Sequence, residues 1–227
     1  MARKIAVFDL DGTLIDTAPD LLDSLNAALA GTGVGPVPQI GFNAVVGHGG
    51  RAMIARAFAN ARKDLPKNLH ETLFLRFLDH YSKNIPGRSQ PFPGVAAALE
   101  RFHSAGFLLA VCTNKTEALS VRLLESLGLR PNFSAICGVD TFAFCKPDPR
   151  HLTETIKCAG GDANHALMIG DSRTDIDTAK AAGIPVVAVD FGYTDLHVSE
   201  FEPSRVIAHY DELTVHLAEG LLQAARV

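Results

Sequence analysis

Asp9 and Asp11 stand one residue apart at the end of an apolar run, in the stretch Phe8-Asp9-Leu10-Asp11-Gly12-Thr13. Two carboxylates so placed repel each other unless a cation compensates them. Other polar stretches follow apolar runs or open helical patterns: Thr113-Asn114-Lys115, Lys146-Pro147-Asp148-Pro149 and Gly170-Asp171-Ser172-Arg173-Thr174-Asp175. If one sheet edge gathers them, four carboxylates meet at a point. An oxygen-rich site of that kind suits Mg²⁺, a hard ion that takes near-octahedral oxygen ligation and keeps waters or a substrate phosphate in its shell. The chemistry these residues point to is phosphate chemistry at an acidic, metal-dependent site.

The elements that must position them are legible from pattern. Lys4 to Phe8, Phe107 to Cys112, His165 to Gly170 and Pro185 to Asp190 are short apolar runs without alternation, as in strands buried on both faces of a parallel sheet. Helical patterns over 94–106, 116–128, 149–160 and 174–183 separate them, and Asp148-Pro149 reads as an N-cap followed by a first-turn proline. The alternation predicts a doubly wound, Rossmann-like α/β core. Right-handed crossovers place the loops after its strands along one edge, where ligands of such sheets bind.

Residues 17–86 break the rhythm. Three segments there carry apolar residues at three- and four-residue spacing with no strand between them, predicting an all-helical insertion. It ends in the Pro- and Gly-rich stretch 86–94, suited to a hinge. The expected organisation is a core of 1–16 and 87–227 with a helical domain of 17–86.

Bulk properties narrow the function classes. Net charge is −4, which gives no basic excess for nucleic acid or an anionic membrane surface. No segment approaches the roughly 20 apolar residues of a membrane span, and the N-terminal apolar run is too short for a signal-peptide core. The cysteines, Cys112, Cys137, Cys145 and Cys158, lack paired or metal-like spacing, which favours free thiols. A cytoplasmic protein, monomeric or homodimeric, is expected.

FDLDGTLID, VCTNK, CKPDP and GDSRTDI stand in the order and spacing of the four motifs of the haloacid dehalogenase-like hydrolases. The resemblance runs from about Ile5 to about Val189, in the branch with a helical cap after the first motif, and the chain is most similar there to the phosphoglycolate phosphatases. The resemblance implies that Asp9 is the nucleophile, forming an aspartyl phosphate. Asp11 would be the general acid and then the base for the attacking water. Mg²⁺ would be held by Asp9, the backbone carbonyl of Asp11 and Asp171. Thr113 and the amides around Asn114 would bind the phosphoryl oxygens. Lys146 would place a charge on that group and on Asp9. Asp175 would act through the metal's waters or Lys146. Asp16, Asp20 and Asp23 read as solvated or capping residues of the first cap helix.

Substrate choice must then come from the cap. Its Gly-rich segment 45–53 carries Arg51, whose guanidinium suits the carboxylate of 2-phosphoglycolate or, equally, pairs with a nearby acid. His48 is a weaker candidate. Asp11 and Asp171 argue against carbon dehalogenation. The absence of a histidine between Thr17 and Ala30 argues against a sugar phosphomutase, and Arg51 in the Gly-rich loop argues against a lysine-dependent phosphonatase. A broad sugar-phosphate or nucleotide phosphatase and a non-catalytic phosphometabolite sensor stay open.

Overall fold

The computed structural model describes residues 3–39, 42, 46–47 and 49–225. His48, and the part of the Gly-rich segment at Val45, lie outside the described residues. The strands are β1 (Ile5–Phe8), β2 (Ile15–Asp16), β3 (Gln90–Pro91), β4 (Leu108–Cys112), β5 (Ala135–Cys137), β6 (Ala166–Gly170), β7 (Val186–Val189) and β8 (Arg205–Ile207). The helices of more than one turn are α1 (Ala18–Leu29), α2 (Gly49–Asn60), α3 (Lys67–Asn84), α4 (Val95–Ser104), α5 (Glu117–Ser126), α6 (Pro149–Cys158), α7 (Arg173–Ala181) and α8 (Val215–Ala224).

Six strands form one parallel sheet in the order β5-β4-β1-β6-β7-β8. The uninterrupted apolar runs have the cause the sequence predicts. On β1, Ala6 and Phe8 pack with α4, α5 and α8, whereas Ile5 and Val7 pack with α6 and α7. The same division recurs on β4, β6 and β7, so nearly every residue of the central strands is buried, each large side chain contributing about 1.5–3 kcal/mol. This is the doubly wound α/β architecture expected. The two strands of this sheet with no sequence-level expectation, β5 and β8, are three residues long and sit at the sheet edges, too short for a periodicity to register.

Between β2 and β3 the chain forms α1, α2 and α3, whose apolar faces meet in a cluster of their own around Leu25, Met53, Ile54, Leu73, Phe77 and Tyr81. The segment leaves and re-enters through a short antiparallel ribbon, Ile15 opposite Pro91 and Asp16 opposite Gln90. Asp20 departs from the expectation of a solvated or capping residue. It is buried, and its carboxylate accepts from the Arg88 and Ser89 backbone N–H groups at 2.8 Å each and from Ser89 Oγ at 2.5 Å. The returning linker has backbone donors that no ladder satisfies, and a buried carboxylate in the first turn of α1 satisfies them. Among the described residues, no helix is long and apolar enough to cross a membrane.

Candidate active site

The chain runs from β1 outward through β4 to β5, then returns to β6 on the other side of β1. The carboxyl ends of β4, β1 and β6 therefore flank the point where strand order reverses, the place where open α/β sheets bind ligands. Asp9 follows β1, Thr113 follows β4 and Asp171 follows β6. Asp9, Asp11, Arg51, Thr113, Asn114, Lys146 and Asp171 all line one cavity of about 490 Å³, closed on its far side by apolar residues of α1–α3.

Asp9 is buried, and its Oδ1 lies 2.8 Å from Lys146 Nζ. Among the described residues that ammonium is the one close partner of this oxygen. Burial, opposed by Lys146 and reinforced by Asp175 and Asp11, lifts the Asp9 carboxyl to about 6. Asp171 is held in place from both sides. Thr13 Oγ1 donates to its Oδ1 at 2.8 Å and the Tyr193 N–H to its Oδ2 at 2.6 Å. Burial, then the charges of Asp175 and Asp9, raise its pKa well above the usual range.

Gly12 makes this approach possible. It adopts φ +83°, and a Cβ there would stand 2.3 Å from Asp171 Oδ2.

Asp175 lies beneath the cavity floor. As the third residue of α7 it completes a capping box with Ser172, whose N–H and Oγ donate to its Oδ2 at 3.1 and 2.6 Å. Its Oδ1 accepts from Lys146 Nζ at 2.6 Å. Lys146 thus bridges Asp9 and Asp175 and is itself buried. Burial opposes its charge, but the two carboxylates more than offset this and raise its pKa.

Oxygens of Asp9, Asp171 and Asp175 lie within 4.8 Å of one another. Against one ammonium, these three carboxylates leave two negative charges uncompensated in a buried site, and Asp9 and Asp171 both line the cavity. Both observations fit a divalent, oxygen-seeking cation. Asp175 lies beneath the cavity that the other two line, so Asp9 and Asp171 are the better ligands of the three.

The second aspartate faces different partners. Asp11 accepts from Thr17 Oγ1 at 2.7 Å and from Lys115 Nζ at 3.0 and 3.1 Å. Asn114 spends its side chain on the neighbouring loop, Nδ2 donating to the Lys146 carbonyl at 2.9 Å. Arg51 lines the cavity but is half exposed and engaged within the insertion. It forks onto Glu71 at 3.1 and 2.9 Å and stacks on Phe74.

His151 supports the Lys146 loop, its Nδ1 accepting the Lys146 N–H at 3.1 Å. That bond requires an unprotonated Nδ1, and burial together with the Lys146 charge lowers the imidazole to about 4. The unfolded chain takes up the proton near 6.5. The contribution is therefore fully present above pH 6.5 and lost as pH falls towards 4, on the order of 2 kcal/mol. Urea midpoints measured across that range should fall in the native protein and fall less in His151→Asn. An identical slope in both would exclude His151 as the group responsible.

The haloacid dehalogenase-like hydrolase family matches residues 6–189. Phosphoglycolate phosphatase from Mesorhizobium japonicum is 66% identical over 99% of this chain and 99% of its own length. That from Agrobacterium fabrum is 49% identical over 96% and 94%. The crystal structure of a predicted phosphoglycolate phosphatase from Haemophilus somnus superposes with a TM-score of 0.86 at 28% identity, covering 93% and 96% of the two chains. This chain belongs to the haloacid dehalogenase-like hydrolases. It is a phosphoglycolate phosphatase-like member of that hydrolase family.

Several residues that shape this hydrolase's site carried no individual expectation. Thr13, Lys115 and Ser172 lie inside the motifs, where the adjacency of Thr13 to Asp11, of Lys115 to Asn114 and of Ser172 to Asp171 was the available signal. Tyr81 and Tyr193 reach the site from α3 and from the loop after β7, and nothing in local sequence marks them. Tyr193 is doubly placed. Its N–H holds Asp171, while its hydroxyl donates to Asp16 Oδ1 at 2.6 Å and accepts from the Ala18 N–H at 2.8 Å. It joins the β6 loop to the start of α1.

Proposed function

We propose that the chain is a Mg²⁺-dependent phosphomonoester hydrolase that works through an aspartyl-phosphate intermediate, with 2-phosphoglycolate as substrate and glycolate and phosphate as products. The observation that carries the reading is Asp9: a buried carboxylate at the sheet's switch point that lines a cavity with Lys146 and Thr113 and whose Oδ1 has the Lys146 ammonium 2.8 Å away as its close partner. A carboxylate so placed can attack phosphorus in line. Asp11, anchored by Thr17 and Lys115, gives its proton to the leaving alkoxide and then takes one from the water that hydrolyses the intermediate.

Lys146 places its charge between Asp9 and the transferred group, where negative charge spreads over the equatorial oxygens. Thr113 and the amides near Asn114, ahead of α5, bind those oxygens. Asp9, Asp171 and the Asp11 carbonyl would hold Mg²⁺, which when bound offsets the repulsion between carboxylate and phosphate dianion. Asp175 fixes Lys146. Residues 17–86 act as the cap and 1–16 with 87–227 as the core. The Asp20 clasp and the Tyr193 contacts stand at the two crossings between them, and closure there excludes water from the first step. The substrate assignment comes from the relatives' names.

Phosphate release across a panel of phosphorylated metabolites, with Mg²⁺ and with EDTA, tests the reading. Mg²⁺-dependent release that favours 2-phosphoglycolate is expected. Even release over sugar phosphates and nucleotides would keep the chemistry and discard the substrate. No release from any of them would leave a sensor as the better account.

A further inference from the structure

Among the described residues, three cationic side chains line the cavity, and two of them are committed. Lys146 is shared by Asp9 and Asp175, and Arg51 is forked onto Glu71. The third, Lys115, is buried, with 7% of its side chain exposed. Its ammonium bonds Asp11 and lies 4.3 Å from the centre of the Tyr81 ring. The two Asp11 oxygens occupy at most two of its three N–H donors. Tyr81 comes from the insertion, is buried to 2% exposure and lines the same cavity. Among the described residues its hydroxyl makes no well-formed hydrogen bond, although the Lys115 ammonium stands beside it. A buried hydroxyl without a well-formed bond is uncommon and calls for an explanation.

We propose that Lys115 and Tyr81 form the subsite that reads the substrate's carboxylate, selecting esters in which that carboxylate is one carbon from the phosphorylated oxygen. The inference rests on the reading of Asp9 as phosphoryl acceptor and Asp11 as proton donor. Asp11 must come within about 2.6–3.2 Å of the ester oxygen to protonate it. Lys115 Nζ is 3.0 Å from Asp11 Oδ1, so it stands one contact beyond that oxygen. In an O-phosphorylated α-hydroxy acid the carboxylate carbon is only two bonds from the ester oxygen. One ammonium can then touch Asp11 and the substrate carboxylate together.

The apolar walls of the cavity include Leu21, Met53, Phe77 and Leu119. A carboxylate entering such surroundings is costly unless paired, and Lys115 with the neighbouring Tyr81 hydroxyl supplies the pairing. A neutral alkyl ester gains nothing from either group. An ester with one more methylene places its carboxylate past the ammonium. The ligand class is therefore the 2-phosphoryloxy carboxylates.

The test compares kcat/KM for 2-phosphoglycolate, its homologue 3-phosphoryloxypropionate and ethyl phosphate in the Mg²⁺-loaded native protein, Lys115→Met and Tyr81→Phe. Lys115→Met also takes a donor from Asp11 and is expected to slow all three esters, with a further loss of about 100-fold on 2-phosphoglycolate over ethyl phosphate. Tyr81→Phe, which removes one oxygen and leaves the packing, is expected to lose about 10-fold on the first and nothing on the second. Calorimetry with 3-phosphonopropionate, a non-hydrolysable isostere, should show the same losses in Kd, and propylphosphonate should not. A native protein that prefers 2-phosphoglycolate while both variants lose equally on all three esters would overturn the subsite and leave the substrate reading intact. A native protein indifferent to the carboxylate would overturn both.

Discussion

Asp9→Asn is expected to release no phosphate from any ester that the native protein hydrolyses, a loss of at least about 10⁴-fold, set by the detection limit. An amide cannot accept the phosphoryl group, and no other carboxylate in the cavity is free to replace it. Asp171 is held by Thr13 and Tyr193, Asp175 by Lys146 and Ser172, and Asp11 by Thr17 and Lys115. Loss of fold would not explain such a result. Burial already disfavours the charged form of Asp9, and the neutral amide relieves the crowding with Asp175 and Asp11. The metal-free variant should melt no lower than the metal-free native protein. Mg²⁺-dependent release by an Asp9→Asn preparation shown by mass to be free of deamidation would end the covalent reading. Asp11→Asn should cost about 10²–10⁴-fold, more on esters with poor leaving groups than on aryl esters, because its contribution is the proton.

How far the sequence carried this reading depended on range. The doubly wound sheet was legible because β1, β4, β6 and β7 are buried on both faces and so read as unbroken apolar runs. The convergence of Asp9, Thr113 and Asp171 followed, since parallel strands with right-handed crossovers put their loops on one edge. What escaped was interaction between distant segments. Asp20 looked like any acid in a first helical turn, yet its partners are residues 88 and 89, which only the closing of the insertion brings near. Tyr81 and Tyr193 meet the site from 70 or more residues beyond Asp11. Arg51 shows the same limit from the other side. Its type suited a carboxylate, but the Glu71 that occupies it sits on α3, a register that helix periodicity alone does not fix.

Lys146 separates electrostatic from structural roles most sharply, because its ammonium touches one carboxylate at the cavity and one beneath it. Lys146→Met should lower kcat by about 10³-fold, since the charge that offsets the transferred group is gone. It should also destabilise the fold by about 3–5 kcal/mol, the cost of leaving buried carboxylates without their partner. The larger part of that cost belongs to Asp175, which is wholly buried, whereas Asp9 opens on the cavity. Adding Asp175→Asn removes the stranded charge while keeping an acceptor for the Ser172 N–H. The double variant should therefore regain most of the lost stability in urea melts and none of the lost turnover. Recovery of both would mean that Lys146 acts only by holding the loop, and recovery of neither would mean that the pair's worth lies in packing, not in charge.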